Sequence, residues 1–282
     1  MLQLLSRWLL GMGVVVAVAY TAVCLFLFFQ QTRFIFFPSR DIQTTPEFFN
    51  LPYLEVVVPV VTDNGTVERI HGWWIPAAQP NANVLLYLHG NGFNIGANVA
   101  HAYRFHQMGF SVLLIDYRGY GLSEGGFPTE TGVYQDAAAA WDYLVKEQKI
   151  SPDQIFVYGH SLGGAIAIDL AVQHPDAAGL IVESSFTSIR QIVEHENRFR
   201  MFPVNLILTS RFDSISKVRS LSVPVLFIHG TADLKIPAFM SEQLFAAASE
   251  PKHLVLFPEG GHNNVAEVAG SQYFQAVQKF VQ

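Results

Sequence analysis

Ile155-Phe156-Val157-Tyr158-Gly159-His160-Ser161-Leu162-Gly163-Gly164-Ala165-Ile166-Ala167-Ile168-Asp169-Leu170-Ala171 is the stretch whose reading decides the fold. It opens as a short β-branched and aromatic strand. It passes through a G-x-S-x-G turn and continues as a helix-forming run. A serine on so sharp a strand-to-helix turn is forced into a strained backbone that lifts its hydroxyl above the sheet edge. The flanking glycines let strand and helix pass closely because neither adds a Cβ. The five-residue pattern alone is common; its placement between strand and helix is what predicts an exposed nucleophile with a backbone N–H beside it.

Working outward, the same rhythm recurs. Val84-Leu88, Val112-Ile115, Leu180-Val182, Val225-Ile228 and Leu254-Phe257 are short continuous apolar runs, as expected of strands buried on both faces. Helix-length segments lie between most of them, at about 97–108, 130–148, 162–174, 236–249 and 264–281. Alternation of this kind predicts an α/β fold with a mostly parallel central sheet and helices on both faces. Upstream, Leu54-Val58 and Ile70-Ile75 flank the turn signal Thr62-Asp63-Asn64-Gly65 and predict an antiparallel hairpin. One interval breaks the rhythm. Between Glu183 and Val223 no strand appears, but Phe186, Ile189, Ile192, Phe199, Met201, Phe202, Leu206, Ile207 and Leu208 do, with Arg190, Arg198, Arg200 and Arg211 among them. We read 185–221 as a short helical cap over the carboxyl ends of the strands, where open α/β sheets bind ligands. An ordinary crossover helix with a long loop is the plainer alternative.

The chain has 282 residues, 50% hydrophobic and only 14% charged, and the excess apolarity is concentrated at the amino end. From Trp8 to Phe29 no charge appears, and about 20 apolar residues suffice to span a bilayer as a helix. Residues 1–33 are therefore expected to be a single-pass membrane anchor, followed by an interfacial segment, Phe34-Pro38, and one domain over 34–282. The rival is a cleaved signal, since Ala17-Val18-Ala19 resembles a cleavage site; cleavage there would strand ten apolar residues on the mature protein. Arg7 before the span and Arg33 and Arg40 after it nearly balance, so orientation is left open. The net charge of −6 offers nothing to nucleic acid. The lone cysteine, Cys24, excludes an intramolecular disulfide and a cysteine-ligated metal site.

A serine hydroxyl needs a base, and the base needs an orienting carboxylate. In a sheet of this kind the order is Ser, then Asp or Glu, then His. Asp233 follows the strand Val225-Ile228, and His262 follows the last strand and the turn Pro258-Glu259-Gly260-Gly261. Both thus fall at the edge that carries Ser161. Glu183 is the rival acid. His229, at the end of a buried strand, reads as a core histidine; His253 precedes the last strand at the opposite edge; His160 reads as support for the turn. His101 and His106 are five apart, the wrong spacing for two ligands on one helix face, and no H-E-x-x-H, P-loop or dinucleotide fingerprint occurs. No metal or cofactor is expected.

On these words the chain resembles the α/β-hydrolase superfamily. More narrowly, it resembles a branch of single-span, membrane-anchored serine hydrolases that includes acyl-protein-thioesterase-like enzymes. The matching words are Phe36-Phe37-Pro38-Ser39-Arg40, His89-Gly90-Asn91-Gly92, Asp116-Tyr117-Arg118-Gly119-Tyr120-Gly121, Gly159-Gly164, Arg211-Phe212-Asp213-Ser214, Ile228-His229-Gly230 with Asp233, and Gly260-Gly261-His262-Asn263. The resemblance implies Ser161 as nucleophile, Asp233 as acid and His262 as base. The oxyanion hole would be the N–H of Leu162 and that of Asn91, with Gly92 as the alternative second donor. Asp116-Gly119 would be a structural loop beside the pocket. The chain departs from the pattern at Leu234, where a second acidic residue is usual. The apolar cap and the anchor favour a lipophilic carboxylic ester or thioester as substrate, with an acylated protein as one candidate. Two rivals differ in class. An aminopeptidase of the same fold needs an acidic cluster for the substrate amine, for which Glu194 and Glu196 are the nearby residues. A non-catalytic membrane-tethered scaffold would ordinarily have lost one of the three residues.

Overall fold

Eight strands form one sheet: β1 (Leu54–Val61), β2 (Val67–Ile75), β3 (Val84–Leu88), β4 (Ser111–Ile115), β5 (Ile155–His160), β6 (Gly179–Glu183), β7 (Val225–Gly230) and β8 (Lys252–Phe257). The computed structural model describes residues 1–196 and 199–282; Arg198 of the cap reading lies outside the described residues. Across the sheet the order is β8-β7-β6-β5-β3-β4-β2-β1. The two hairpin strands, β1 and β2, run antiparallel, β2 meets β4 antiparallel, and every other pairing is parallel. The sequence pattern explains the layout. The central strands β3 to β7 are buried along their whole length. Edge strand β1 alternates exposed and buried residues and tolerates Pro59 at an outward position, where no ladder N–H is needed.

Helices cover both faces. α3 (Glu130–Asp142), α4 (Leu162–Gln173) and α8 (Phe239–Ala247) enclose one apolar cluster, and α2 (Val99–Gln107), α9 (Val265–Ala269) and α10 (Ser271–Val281) enclose the other. Two of the expected helices are modified. The 130–148 helix passes into a π-helical turn at 143–147, and the last one breaks at Gly270 into α9 and α10. His253 lies inside β8 and packs against Phe280. Among the described residues the cap region holds three short α-helices, α5 (Ile189–His195), α6 (Val204–Ile207) and α7 (Ser214–Lys217), and a 3-10 turn at Val218–Ser220. It is tied back by Glu130, whose carboxylate accepts from Arg211 N–H at 2.6 Å and Phe212 N–H at 2.8 Å.

The chain begins with α1 (Leu2–Ile35), 34 residues long. Among the described residues it is the one helix long and apolar enough to cross a membrane, a test that a signal sequence also passes. It runs on to Ile35, two residues past 33, and the segment after it is tied into the domain. Phe36 is fully buried and meets the Phe212 ring edge-on at 5.9 Å. Burying such a ring stabilises by roughly 1.5–3 kcal/mol. Phe37–Pro38 then pairs in parallel with Gly92–Phe93. The helix exit is built into the domain because Ile35 and Phe36 find core positions there, while Phe34 and Phe37 stay exposed.

Candidate active site

Ser161 follows β5 directly and sits at φ 56°, ψ −119°, a region sparsely populated by residues with side chains. Its own backbone holds it there: the N–H donates to Glu183 O at 2.9 Å, and the carbonyl accepts from Ser185 Oγ at 2.8 Å. The tightness of the turn accounts for its glycines. A Cβ on Gly159 would lie 2.1 Å from Gly163 O, and one on Gly163 would lie 2.0 Å from Leu88 O. Both obstacles are backbone, so no side-chain shift could relieve them.

The parallel register brings the carboxyl ends of β5, β7 and β8 to one edge, with His160 opposite Glu183, Glu183 opposite Ile228, and Gly230 opposite Phe257. There His262 Nε2 lies 3.0 Å from Ser161 Oγ, and His262 Nδ1 lies 2.7 Å from Asp233 Oδ2. Asp233 is held from two sides. Its Oδ1 accepts the N–H groups of Lys235 at 2.8 Å and Ile236 at 2.9 Å; its Oδ2 also faces His229 Nε2 at 3.2 Å. Burial alone would raise its pKa. Hydrogen bonds from His229 and His262 and the backbone outweigh that and hold the carboxyl well below the usual range. An ionised carboxylate only accepts, so His262 Nδ1 carries the proton and Nε2 is left with a lone pair toward the serine hydroxyl. The arrangement can take a proton from Ser161.

The neighbouring histidines divide as their surroundings dictate. His229 is a buried core residue, but it is also a support for Asp233: its Nε2 faces the carboxylate and Ile236 O, so it donates there and accepts from Ser241 Oγ at 2.7 Å. His160 donates from Nε2 to the carbonyl of His262 at 2.9 Å, fixing that loop. Burial lowers its pKa, with Glu183 opposing, so it is neutral. Glu183 accepts from Tyr158 at 2.9 Å and from Tyr273 at 2.6 Å, both at Oε2. Two phenols thus hold its carboxylate in place. His101 meets Tyr87 edge-on and His160 at a tilt, and His106 faces Pro76 O at 3.0 Å.

Asn91 and Leu162 both border the cavity beside Ser161. Leu162 is the first residue of α4, so its N–H is among those a helix start leaves unpaired, at the positive end of the dipole. The Asn91 loop is held rigidly. Its side-chain amide donates to Ile35 O at 2.7 Å, and its carbonyl accepts from Phe37 N–H at 2.8 Å and Tyr120 OH at 2.7 Å. Gly92 stands opposite Phe37 in the short ladder, and the cavity is bordered by Asn91 instead. His89 shapes the turn, its Nδ1 donating to Gly90 O at 2.7 Å while Tyr117 OH donates to its carbonyl at 3.0 Å. In the adjoining loop, Arg118 Nε donates to Asp136 at 2.5 Å.

The cavity over Ser161 and His262 has a volume of about 720 Å³ and is walled mainly by apolar cap residues such as Phe186, Ile192 and Phe202. Leu234, which stands where a second acid is usual in the pattern the chain resembles, is fully exposed at its border. Glu196 also borders it, whereas Glu194 pairs with Arg190 at 2.7 Å. Sequence reading missed one set of wall residues entirely: Leu27, Gln31, Phe34 and Ile35, all from α1. The available signal was the polar pair Gln30-Gln31 near the end of an otherwise apolar helix.

A family profile described as "Serine aminopeptidase, S33" matches residues 78–212. An uncharacterized protein of Mycobacterium tuberculosis is 35% identical over 272 residues, covering 95% of this chain and 92% of that protein. An "Alpha/beta hydrolase domain-containing protein" of Arabidopsis thaliana is 29% identical, covering 96% and 92%. Among solved structures, a Pyrococcus furiosus esterase superposes with a TM-score of 0.71 over 88% of this chain and 97% of its own, at 19% identity. With this sheet order, this turn and relatives matched over nearly its whole length, the chain belongs to the α/β-hydrolase family.

Proposed function

We propose that the protein is a membrane-anchored serine hydrolase that cleaves lipophilic carboxylic esters or thioesters through an acyl-enzyme. The observation that carries the reading is the hydrogen-bonded line from Ser161 through His262 to Asp233, at 3.0 and 2.7 Å, opening into an apolar cavity. Ser161 Oγ attacks the acyl carbonyl while His262 Nε2 takes its proton, and Asp233 stabilises the imidazolium that results. The oxyanion is held by the N–H groups of Leu162 and Asn91. The bond to the alcohol or thiol then breaks, and His262 returns the proton to that leaving group. Water, with His262 again as base, attacks the acyl-serine and releases the acid. No cofactor enters. Asp233, not Glu183, orients the base, because Glu183 is committed to Tyr158 and Tyr273.

A peptidase reading has its own support in the matched profile and in Glu196 at the cavity border. The apolar walls favour the acyl reading. Purified wild-type protein is offered p-nitrophenyl esters, acyl thioesters and aminoacyl anilides in parallel with Ser161→Ala. Turnover of long-chain esters and thioesters that vanishes in the variant is expected. Turnover of anilides alone would transfer the protein to the peptidase class.

A further inference from the structure

Four of the cavity's wall residues, Leu27, Gln31, Phe34 and Ile35, lie on α1 at spacings of four, three and one. That spacing places them on one helix face. The same face continues toward the amino end at Tyr20, whose ring stacks on Phe202 of the cap at 5.8 Å and whose hydroxyl donates to Met201 O at 2.8 Å. Nearer the exit, Gln31 accepts the N–H groups of Thr209 at 2.8 Å and Ser210 at 2.9 Å and donates to Ile207 O at 3.3 Å. The cap is therefore fastened along about four turns of the candidate span, from Tyr20 to Ile35.

The depth of that attachment follows from helix geometry. The uncharged run starts at Trp8, just after Arg7. At about 1.5 Å per residue, a hydrocarbon core of about 30 Å that begins at Trp8 ends near Phe28. Arg33, stacked over the Phe127 ring at 5.1 Å, then falls in the headgroup zone. Tyr20 lies about 12 Å inside the near boundary, and the cap tip bound to it lies at that depth too. The tip is dressed for it: Met201 is 72% exposed and Leu206 is 79% exposed. An aqueous surface would leave both apolar side chains in water; a leaflet would cover them.

We propose that α1 is a substrate-binding element, its Leu27–Phe34 face and the cap forming an acyl-chain corridor that opens directly into the hydrocarbon of the near leaflet. The ligand is a single long acyl chain of a membrane-resident ester or thioester, which slides along α1 to Ser161 without crossing water. The carboxyl end of the same helix also holds the oxyanion loop, through Ile35 O and Phe37 N–H on Asn91. This inference rests on the serine-hydrolase reading above.

The test uses the full chain in lipid nanodiscs, with hexadecanoyl and butanoyl p-nitrophenyl esters as paired substrates. Leu27→Trp fills the corridor and is expected to lower the hexadecanoyl-to-butanoyl kcat/KM ratio at least about tenfold. Leu27→Ala is expected to raise the optimum chain length. Val16→Trp, on the same helix outside the cavity, keeps the wild-type ratio. Unchanged chain-length profiles in both Leu27 variants overturn the corridor. Depth is read separately: a fluorophore on Leu206→Cys, in a Cys24→Ser background, should be quenched by acyl-chain spin labels. Quenching by aqueous iodide alone overturns the immersed cap. Fluorophosphonate labelling of Ser161 is followed throughout. If wild-type protein is unlabelled, the hydrolase reading itself has failed, an outcome distinct from labelled protein with no chain-length effect.

Discussion

Replacing Asp233 by asparagine changes one atom, and the surroundings decide where that atom must go. The backbone N–H groups of Lys235 and Ile236 point at Oδ1, at 2.8 and 2.9 Å. The asparagine carbonyl must occupy that position, since the alternative sets an amide NH2 against two donors. The NH2 then takes the place of Oδ2, facing His262 Nδ1 and His229 Nε2, which lie 2.7 and 3.2 Å from the native oxygen. His229 keeps Ile236 O as acceptor at 2.9 Å and stays as it is. His262 has no such alternative. It must shift its proton to Nε2 to accept from the amide, and Nε2–H cannot take a proton from Ser161. Loss of the competent tautomer costs about ten-thousandfold in kcat, or roughly 5 kcal/mol of transition-state stabilisation. KM should move little, because Asp233 is buried away from the acyl chain. The assay is steady-state hydrolysis of p-nitrophenyl butyrate by Asp233→Asn, with Glu183→Gln measured beside it. Glu183→Gln is expected within about tenfold of wild type, since it perturbs Tyr158 and Tyr273 and reaches the triad only through structure. Folded Asp233→Asn with kcat within tenfold of wild type, or a Glu183→Gln variant that is the more severely impaired, would refute the reasoning.

Gly163→Ala places a Cβ 2.0 Å from a backbone carbonyl; overpacking of about 1–3 kcal/mol corresponds to a Tm loss of about 3–10 °C by calorimetry, and an unchanged Tm would contradict the crowding argument. Asn91→Ala removes the bond to Ile35 O and loosens the proposed oxyanion donor, the Asn91 N–H, without deleting it. The expected fall in kcat is therefore about ten- to a hundredfold, below the hundred- to thousandfold of outright donor loss. Burial lowers the His160 pKa in the fold. The unfolded chain therefore binds a proton near pH 6.5 that the folded chain refuses, so this contribution is complete above that pH and is lost as pH falls below it. His160→Gln should show a smaller drop in Tm between pH 7 and pH 5 than wild type; equal drops would contradict the assignment.

The sheet was legible because its central strands are buried on both faces and therefore read as unbroken apolar runs, while β1 alternates. Ser161, Asp233 and His262 could be ordered along one edge because parallel strands put their carboxyl ends together. Other features depend on contacts between distant segments. Nothing near His229 in sequence tells that it faces Asp233, because the loop at Asp233–Ile236 folds back over the end of β7. Phe34-Pro38 reads as interfacial by its aromatic content, yet Phe36 is a core residue because Phe212 lies opposite it. The role of α1 as a cavity wall was hidden for the same reason: an apolar face meant for lipid and one meant for a cap are spelled with the same residues. The polar pair Gln30-Gln31 breaks the spelling, and Gln31 is the member bound to Ile207, Thr209 and Ser210.

The central claim is that Ser161 is a nucleophile activated by His262. The most direct measurement is intact-mass and peptide mapping after treatment with a long-chain fluorophosphonate, comparing wild type with Ser161→Ala and His262→Ala. The account predicts one phosphonyl adduct on the Ser161 peptide of the wild type, none in Ser161→Ala, and labelling slowed by orders of magnitude in His262→Ala. An adduct that persists in Ser161→Ala, or labelling indifferent to His262, would contradict it.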